Sequence, residues 1–152
     1  MIDGVTLHDE KQIIVPNGNI FHAIKSNSKG FCGFGEAYFS QIEQGAVKGW
    51  KRHNRYTLNI VVPVGAIRFV IYDDREGSIT YGQFEEIILS VKDNYKRLTV
   101  APGLWMAFQG LEDGISMLMD VIPEVHTEDE ADRKRVEEIP FEFNQDKKLL
   151  FV

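Results

Sequence analysis

The sequence has a single cysteine, Cys32, so no disulfide can form within the chain. It also lacks any apolar run near the ~20 residues that a membrane-spanning helix needs. The longest candidates are strand-length stretches such as 58–65, and a soluble protein is expected. The opening MIDGVTLHDE has neither the basic nor the apolar region of a signal peptide, so a reducing cytoplasm is the expected location. Positive charge is in the minority, with 17 basic against 23 acidic residues and a net charge of −6. That balance opposes non-specific binding to nucleic acid, and neither nucleic acid nor membrane is expected as a partner. The four histidines, His8, His22, His53 and His126, are far apart in sequence, and none forms a close pair with a carboxylate. No metal and no cofactor are therefore expected. Repeats and low-complexity linkers are absent too, so the 152 residues, 43% of them hydrophobic, are read as a single domain over 1–152 with one core.

What is present is short apolar alternation, rich in β-branched and aromatic residues and punctuated by Gly, Asn, Asp and Pro. The runs 36–42, 46–50, 56–64, 66–73, 84–89, 98–100, 105–108 and 115–122 predict eight strands, a number that suits an all-β jelly roll or barrel. Asn17-Gly18 and Asp113-Gly114 accept positive φ and mark turns. Only 126–138 looks helical, through a Thr127 cap with Glu130 three residues on. Its polar composition predicts a short surface segment ended by Pro140, with 149–152 as a tail, an edge strand or a partner contact. The glycine-rich stretch 30–35 reads as a bend before Glu36, and Cys32 as a buried structural residue. In the Asp73-Asp74 pair, neighbouring strand residues face opposite sides, so one carboxylate is expected to cap a turn.

Strand periodicity sorts the side chains. Within 66–73, Ile67, Phe69 and Ile71 share one face, while Arg68, Val70 and Tyr72 share the other and are candidates for a cavity wall. Glu36, Tyr38 and Ser40 similarly project together from a second strand. A polar-lined mouth between strands is a natural ligand site. The densest chemistry lies in 48–55, where Lys48, Lys51, Arg52 and Arg55 surround His53. Facing inward, such a set holds a diphosphate and stabilises an enolate, with the imidazole as proton carrier. Facing outward, it is a solvated strand.

The segment from 46 to 108 resembles the dTDP-4-dehydrorhamnose 3,5-epimerase family. Gly45-Ala46-Val47-Lys48-Gly49-Trp50 is similar to that family's glycine, hydrophobic, basic-Gly-Leu-His motif. Val64-Gly65-Ala66-Ile67-Arg68-Phe69-Val70-Ile71-Tyr72-Asp73-Asp74-Arg75 resembles its Gly-led strand ending in Asp-x-Arg. Ser78-Ile79-Thr80-Tyr81-Gly82, Leu89-Ser90 with Asn94, Val100-Ala101-Pro102-Gly103 and Phe108 continue the pattern in order. Lys51 stands where the family's general-base histidine ends its motif and Met106 where a second histidine follows Pro-Gly, and 115–122 holds no tyrosine for the expected proton donor. The dTDP-sugar 3,4-ketoisomerases are a second partial likeness. In register with their Gly-Gly-His-Ala-His, Gly49-Trp50-Lys51-Arg52-His53 puts His53 at the second histidine, and Trp105 resembles a tryptophan of their later strand.

The resemblance implies a double-stranded β-helix or jelly-roll barrel of the cupin type, with a short C-terminal helical segment here. It also implies proton transfer alpha to the ketone of a nucleotide-linked 4-keto-6-deoxyhexose. His53 and then Lys51 are the candidate catalytic groups, with Lys48, Arg55, Glu36, Tyr38, Arg68, Tyr72 and Trp105 as candidate substrate contacts. A non-catalytic sugar-nucleotide or carbohydrate-binding cupin and a metal-binding cupin enzyme are the alternatives. The resembling families are dimers that exchange an N-terminal strand, so a homodimer is expected, with 5–15 as the strand.

Overall fold

A computed structural model of the chain describes residues 1–143. The expected runs all form strands, joined by short strands near both ends of the described chain. In chain order they are β1 (Val5–Asp9), β2 (Gln12–Ile13), β3 (Ile20–Phe21), β4 (Glu36–Glu43), β5 (Val47–His53) and β6 (Leu58–Val64), then β7 (Ala66–Tyr72), β8 (Phe84–Ser90), β9 (Lys96–Val100), β10 (Trp105–Gly110), β11 (Ile115–Ile122) and β12 (Ala131–Arg133). One five-stranded sheet runs β1-β9-β6-β11-β4, a second runs β12-β5-β10-β7-β8, and β2 pairs with β3 alone. The two large sheets face each other without closing into a continuous barrel, and β1, β4, β8 and β12 are their edge strands among the described residues.

Alternation decides what fills the space between them. Ile60 and Val62 of β6, Ile67, Phe69 and Ile71 of β7, Leu98 of β9 and Leu118 of β11 are all essentially removed from water in one core. Burying each such side chain contributes about 1.5–3 kcal/mol. The opposite face of β7 does not line a cavity. Val70 joins Trp50, Trp105 and Ala107 in a second cluster on the outside of that sheet, covered by Ile139 and Phe143 of the returning chain.

Residues 126–138 do not form the expected helix. Two single 3-10 turns, Glu128–Glu130 and Val136–Glu138, flank β12, and Thr127 makes no side-chain cap. Antiparallel pairing of Ala131 with His53, Asp132 with Arg52 and Arg133 with Lys51 claims these residues for the sheet edge. The expected edge strand near the N-terminus is β1, and it pairs with β9 of its own chain, Val5 opposite Val100. The reading of 149–152 lies outside the described residues.

The loop between β1 and β4 is pinned over the outer face of the first sheet by buried Arg97. Its guanidinium donates to Glu10 at 2.8 Å, to the Lys29 carbonyl at 2.8 Å and to Thr99 at 3.0 Å. Cys32 on this loop is exposed, contrary to expectation, since the bend carries it away from the sheet. Asp73 does cap its turn: it accepts from the Arg75 side chain at 2.9 Å and from the Ser78 and Thr80 hydroxyls at 2.6 Å. Among the described residues no helix is long and apolar enough to cross a membrane.

Candidate active site

A cavity of about 470 Å³ opens between the sheets, walled by β4, β6 and β11 on one side and by β5, β10 and β12 on the other. Leu58, Ile60, Met106, Phe108 and Leu118 make part of its wall apolar, whereas its polar groups converge from both sheets. A smaller adjoining space of about 250 Å³ shares Tyr38, Lys51 and His53 with it and adds Glu36 and His126.

A bulge in β5 aims the basic residues. Met106 lies opposite Lys51 and Phe108 opposite Lys48, so three steps along β5 match two along β10. The extra residue reverses the alternation, and Lys48 and Lys51 both line the cavity, although an odd spacing would place them on opposite faces of a regular strand. Gly49 lies in this bulge with φ of +145°, and a side chain there would collide with Ala107. Trp50 is thereby turned outward into the second cluster, where its indole donates to the Val136 carbonyl at 3.1 Å.

His53, at the end of β5, is 7% exposed and lines the cavity. Its Nδ1 lies 2.7 Å from Oε2 of Glu130, a carboxylate with no exposed side-chain surface. The other oxygen of Glu130 accepts from the backbone N–H groups of Asn54, Arg55 and Tyr56 at 2.8, 2.9 and 3.2 Å. Burial works against the charge on Glu130, but the Arg55 and Tyr56 N–H groups and His53 outweigh it, and its pKa falls below the ordinary value. An ionised Glu130 accepts only, so His53 carries its hydrogen on Nδ1 and keeps a lone pair on Nε2. Burial lowers the His53 pKa, and this outweighs the hydrogen bond and charge of Glu130, which raise it.

The facing sheet brings a second pair. Tyr38 of β4 stands directly opposite Asp120 of β11 in register, and its hydroxyl donates to Asp120 Oδ2 at 2.9 Å. Asp120 is 2% exposed, and its other oxygen accepts from the Asn59 N–H at 3.2 Å. Burial pushes its pKa up to about 7 against the opposing pull of Tyr38, the Asn59 N–H and the charge of Lys51. Burial, followed by the charge of Asp120, also raises the Tyr38 phenol. Lys51, between the two pairs, has its pKa lowered by burial and then by Arg133.

Of the residues singled out in the sequence, the structure brings Glu36, Tyr38, Lys48, Lys51 and His53 around the cavity and its annex. The other four lie elsewhere. Arg55 follows the end of β5, exposed, 3.4 Å from Glu124 and over the Tyr56 ring. Arg68 is buried on the outer face of β7, donating to Gln109 at 3.1 Å. Tyr72 stacks on Phe84 with ring centroids 4.5 Å apart. Trp105 packs in the second cluster, donates to Asp74 at 2.9 Å and carries Arg52 and Lys134 over its ring.

The model of the dTDP-4-dehydrorhamnose 3,5-epimerase family matches residues 17–139. The chain belongs to this family. Among solved structures, a dTDP sugar isomerase from Desulfovibrio desulfuricans G20 is 34% identical, with a TM-score of 0.91 over 95% of this chain and 93% of that one. A 3'-monoepimerase from Streptomyces bikiniensis in complex with dTDP-quinovose shares the fold at 19% identity and a TM-score of 0.79, over 89% of this chain and 71% of that one. A probable low-salt glycan biosynthesis epimerase of Haloferax volcanii is 28% identical over 101 residues, 66% of this chain and 64% of that protein's length.

In this epimerase-family chain the substituted positions have definite places. Lys51 and Met106 are Cα partners across β5 and β10, and both line the cavity. β11 holds no tyrosine, and Tyr38 on the neighbouring strand β4 is hydrogen-bonded to Asp120 of β11. The sequence reading missed Asp120, Glu130, Arg133 and Lys134. For Asp120 a signal existed, since it follows Ser116 and Leu118 on the inward face of β11, where a charge is out of place. Glu130, Arg133 and Lys134 had none, because acidic and basic residues in a polar stretch read as solvated surface.

Proposed function

We propose that this chain is a nucleotide-sugar epimerase or isomerase acting on a dTDP-linked 4-keto-6-deoxyhexose by proton transfer alpha to the ketone. The observation that carries the reading is the His53 imidazole, fixed by buried Glu130 and facing the same cavity as Lys51. His53 Nε2 removes the proton from a carbon next to the C-4 carbonyl. The electron pair moves into the carbonyl oxygen to give an enediolate, and the Lys51 ammonium stabilises that oxygen. The proton then returns to the carbon from the other side, or to a neighbouring position.

Binding needs a cationic rim as well as a base. Lys48, Arg133 and Lys134 join Lys51 around the cavity, a set suited to a diphosphate, and the apolar wall suits the deoxygenated edge of the sugar. Lys48 is already oriented, donating to the Gln41 carbonyl at 2.6 Å and lying 3.3 Å from the Ser40 hydroxyl. The family membership and the dTDP-ligand complexes of fold neighbours agree with a nucleotide-sugar substrate. The proposed working form is a cytoplasmic homodimer, by likeness to the family.

The test is incubation with dTDP-4-keto-6-deoxyglucose in deuterated water. Deuterium is expected at C-3 or C-5, with loss of exchange in His53→Gln. No exchange across a panel of nucleotide-linked keto-sugars, despite tight binding, would instead mark a recognition protein.

A further inference from the structure

One hydrogen bond fixes the edge of an imidazole but not its plane. The contact of His53 Nδ1 with Glu130 Oε2 leaves the ring able to turn about it, and the torsion that sets a histidine ring is intrinsically broad. A working base needs its lone pair held within roughly 10–20° of the productive direction, so a second constraint on the ring is required. Tyr56, three positions further along the chain, supplies one.

The turn after β5 brings the two rings together. Because the N–H groups of Asn54, Arg55 and Tyr56 all donate to Glu130 Oε1, the backbone wraps round that carboxylate. The Tyr56 ring is thereby laid against the imidazole, with centroids 5.6 Å apart and planes at 28°. Tyr56 is itself held by other contacts. It is buried in the central core, the Arg55 guanidinium lies over its ring at 5.6 Å, and its hydroxyl donates to the Val125 carbonyl at 3.0 Å, on the stretch that leads to Glu130. An aliphatic side chain fills a core as well, whereas only a ring offers the imidazole a flat face.

We infer that Tyr56 is a positioning residue of this site: its ring fixes the plane of His53, and with it the direction of the Nε2 lone pair into the cavity. This rests on the proton-transfer reading above. Tyr56 lines neither the cavity nor its annex, so it acts through His53 and not on the substrate. The stack also keeps water from one face of the imidazole, and it is part of the burial that lowers the His53 pKa. The other titratable groups facing His53 are Glu130, Lys51 and His126, with Tyr38 and Glu36 of β4 bordering the annex. Replacing Tyr56 removes none of them.

The experiment compares Tyr56→Met, which keeps bulk without a flat face, with Tyr56→Phe, which keeps the ring. Deuterium exchange into dTDP-4-keto-6-deoxyglucose gives kcat and KM, and the His53 imidazole is titrated by NMR in the absence of substrate. In Tyr56→Met, kcat is expected to fall by about 10- to 10²-fold while KM stays within about threefold. Its His53 midpoint should move up toward 6.5 as water reaches the uncovered face. Tyr56→Phe should recover exchange to within about threefold and keep the low midpoint. A folded Tyr56→Met with unaltered exchange and titration overturns the proposal, and so does a Tyr56→Phe as impaired as the methionine variant. Should Tyr56→Met not fold, the unsubstituted protein still decides. Nuclear Overhauser contacts between the His53 and Tyr56 rings are expected there, and their absence overturns the proposal. If the unsubstituted protein shows no exchange, the proton-transfer reading fails, whereas the titrations and ring contacts still test what Tyr56 does to His53.

Discussion

Glu130 is the residue on which the chemistry of His53 turns. Its two oxygens are divided between three backbone N–H groups and the imidazole, and its side chain has no exposed surface. In Glu130→Gln the amide oxygen is claimed by those N–H groups, and the NH₂ must face His53 Nδ1. That moves the imidazole hydrogen to Nε2 and removes the lone pair facing the substrate. We expect turnover to fall by about 10²- to 10⁴-fold with the fold retained, measured as kcat alongside circular dichroism. The pH profile supplies an independent check. The His53 pKa lies below its ordinary 6.5, so the base is neutral at pH 7 and is lost only as acid protonates it. The acid limb of kcat/KM should therefore have its midpoint below 6.5, a limb that Asp120, which titrates higher, cannot supply. The same shift has a stability consequence of matching sign: below pH 6.5 the unfolded chain binds the proton more readily than the folded one, and folding weakens.

At the scale of the element, β5 shows what periodicity reveals and what it hides. Alternation was enough to locate the strand, and Lys51 and His53, two residues apart, fall on one face of it. It gave no warning of the bulge, because a bulge is a relation between two strands and its partner β10 lies more than fifty residues on. The same limit applies to β12. Nothing local in Ala131–Arg133 favours a strand, and its extended form comes from pairing with β5. By contrast the face read for β7 holds in part: Ile67, Phe69 and Ile71 share the central core, whereas the opposite face packs in the second cluster and not on the cavity. The bulge makes Gly49 a sharp test. In Gly49→Ala the new methyl meets Ala107 and the backbone must leave φ of +145°, which pushes β5 off β10 and swings Lys48 out of line with Lys51. Destabilisation of about 1–3 kcal/mol is expected in urea unfolding, with a rise in KM for the nucleotide sugar, since the diphosphate rim is disturbed before the base. An unchanged KM would separate Lys48 from binding.

At the scale of the molecule, two facing sheets make one core, and the site occupies the mouth left where they fail to close. The fold was legible because burial is enforced along the central strands β6, β7 and β9. The site was half legible: its β4 and β5 residues sit on runs that read as strands, whereas Glu130 and Arg133 arrive from a distant stretch whose composition resembles solvated surface. The edge strand β1 pairs within its own chain, so a dimer of this protein must form through a surface that leaves that pairing intact or through its exchange. Light scattering is expected to return about twice the 17.4 kDa of the chain, and a monomeric mass would remove the homodimer.

The separation of 77 positions between His53 and Glu130 also orders events during synthesis. At ~5–20 residues per second a ribosome needs roughly 4–15 s to add the stretch between them. During that interval the growing polypeptide carries its imidazole without the carboxylate that orients it. The proposed base is therefore completed late in translation, and a nascent chain stalled before Glu130 would carry His53 without its partner.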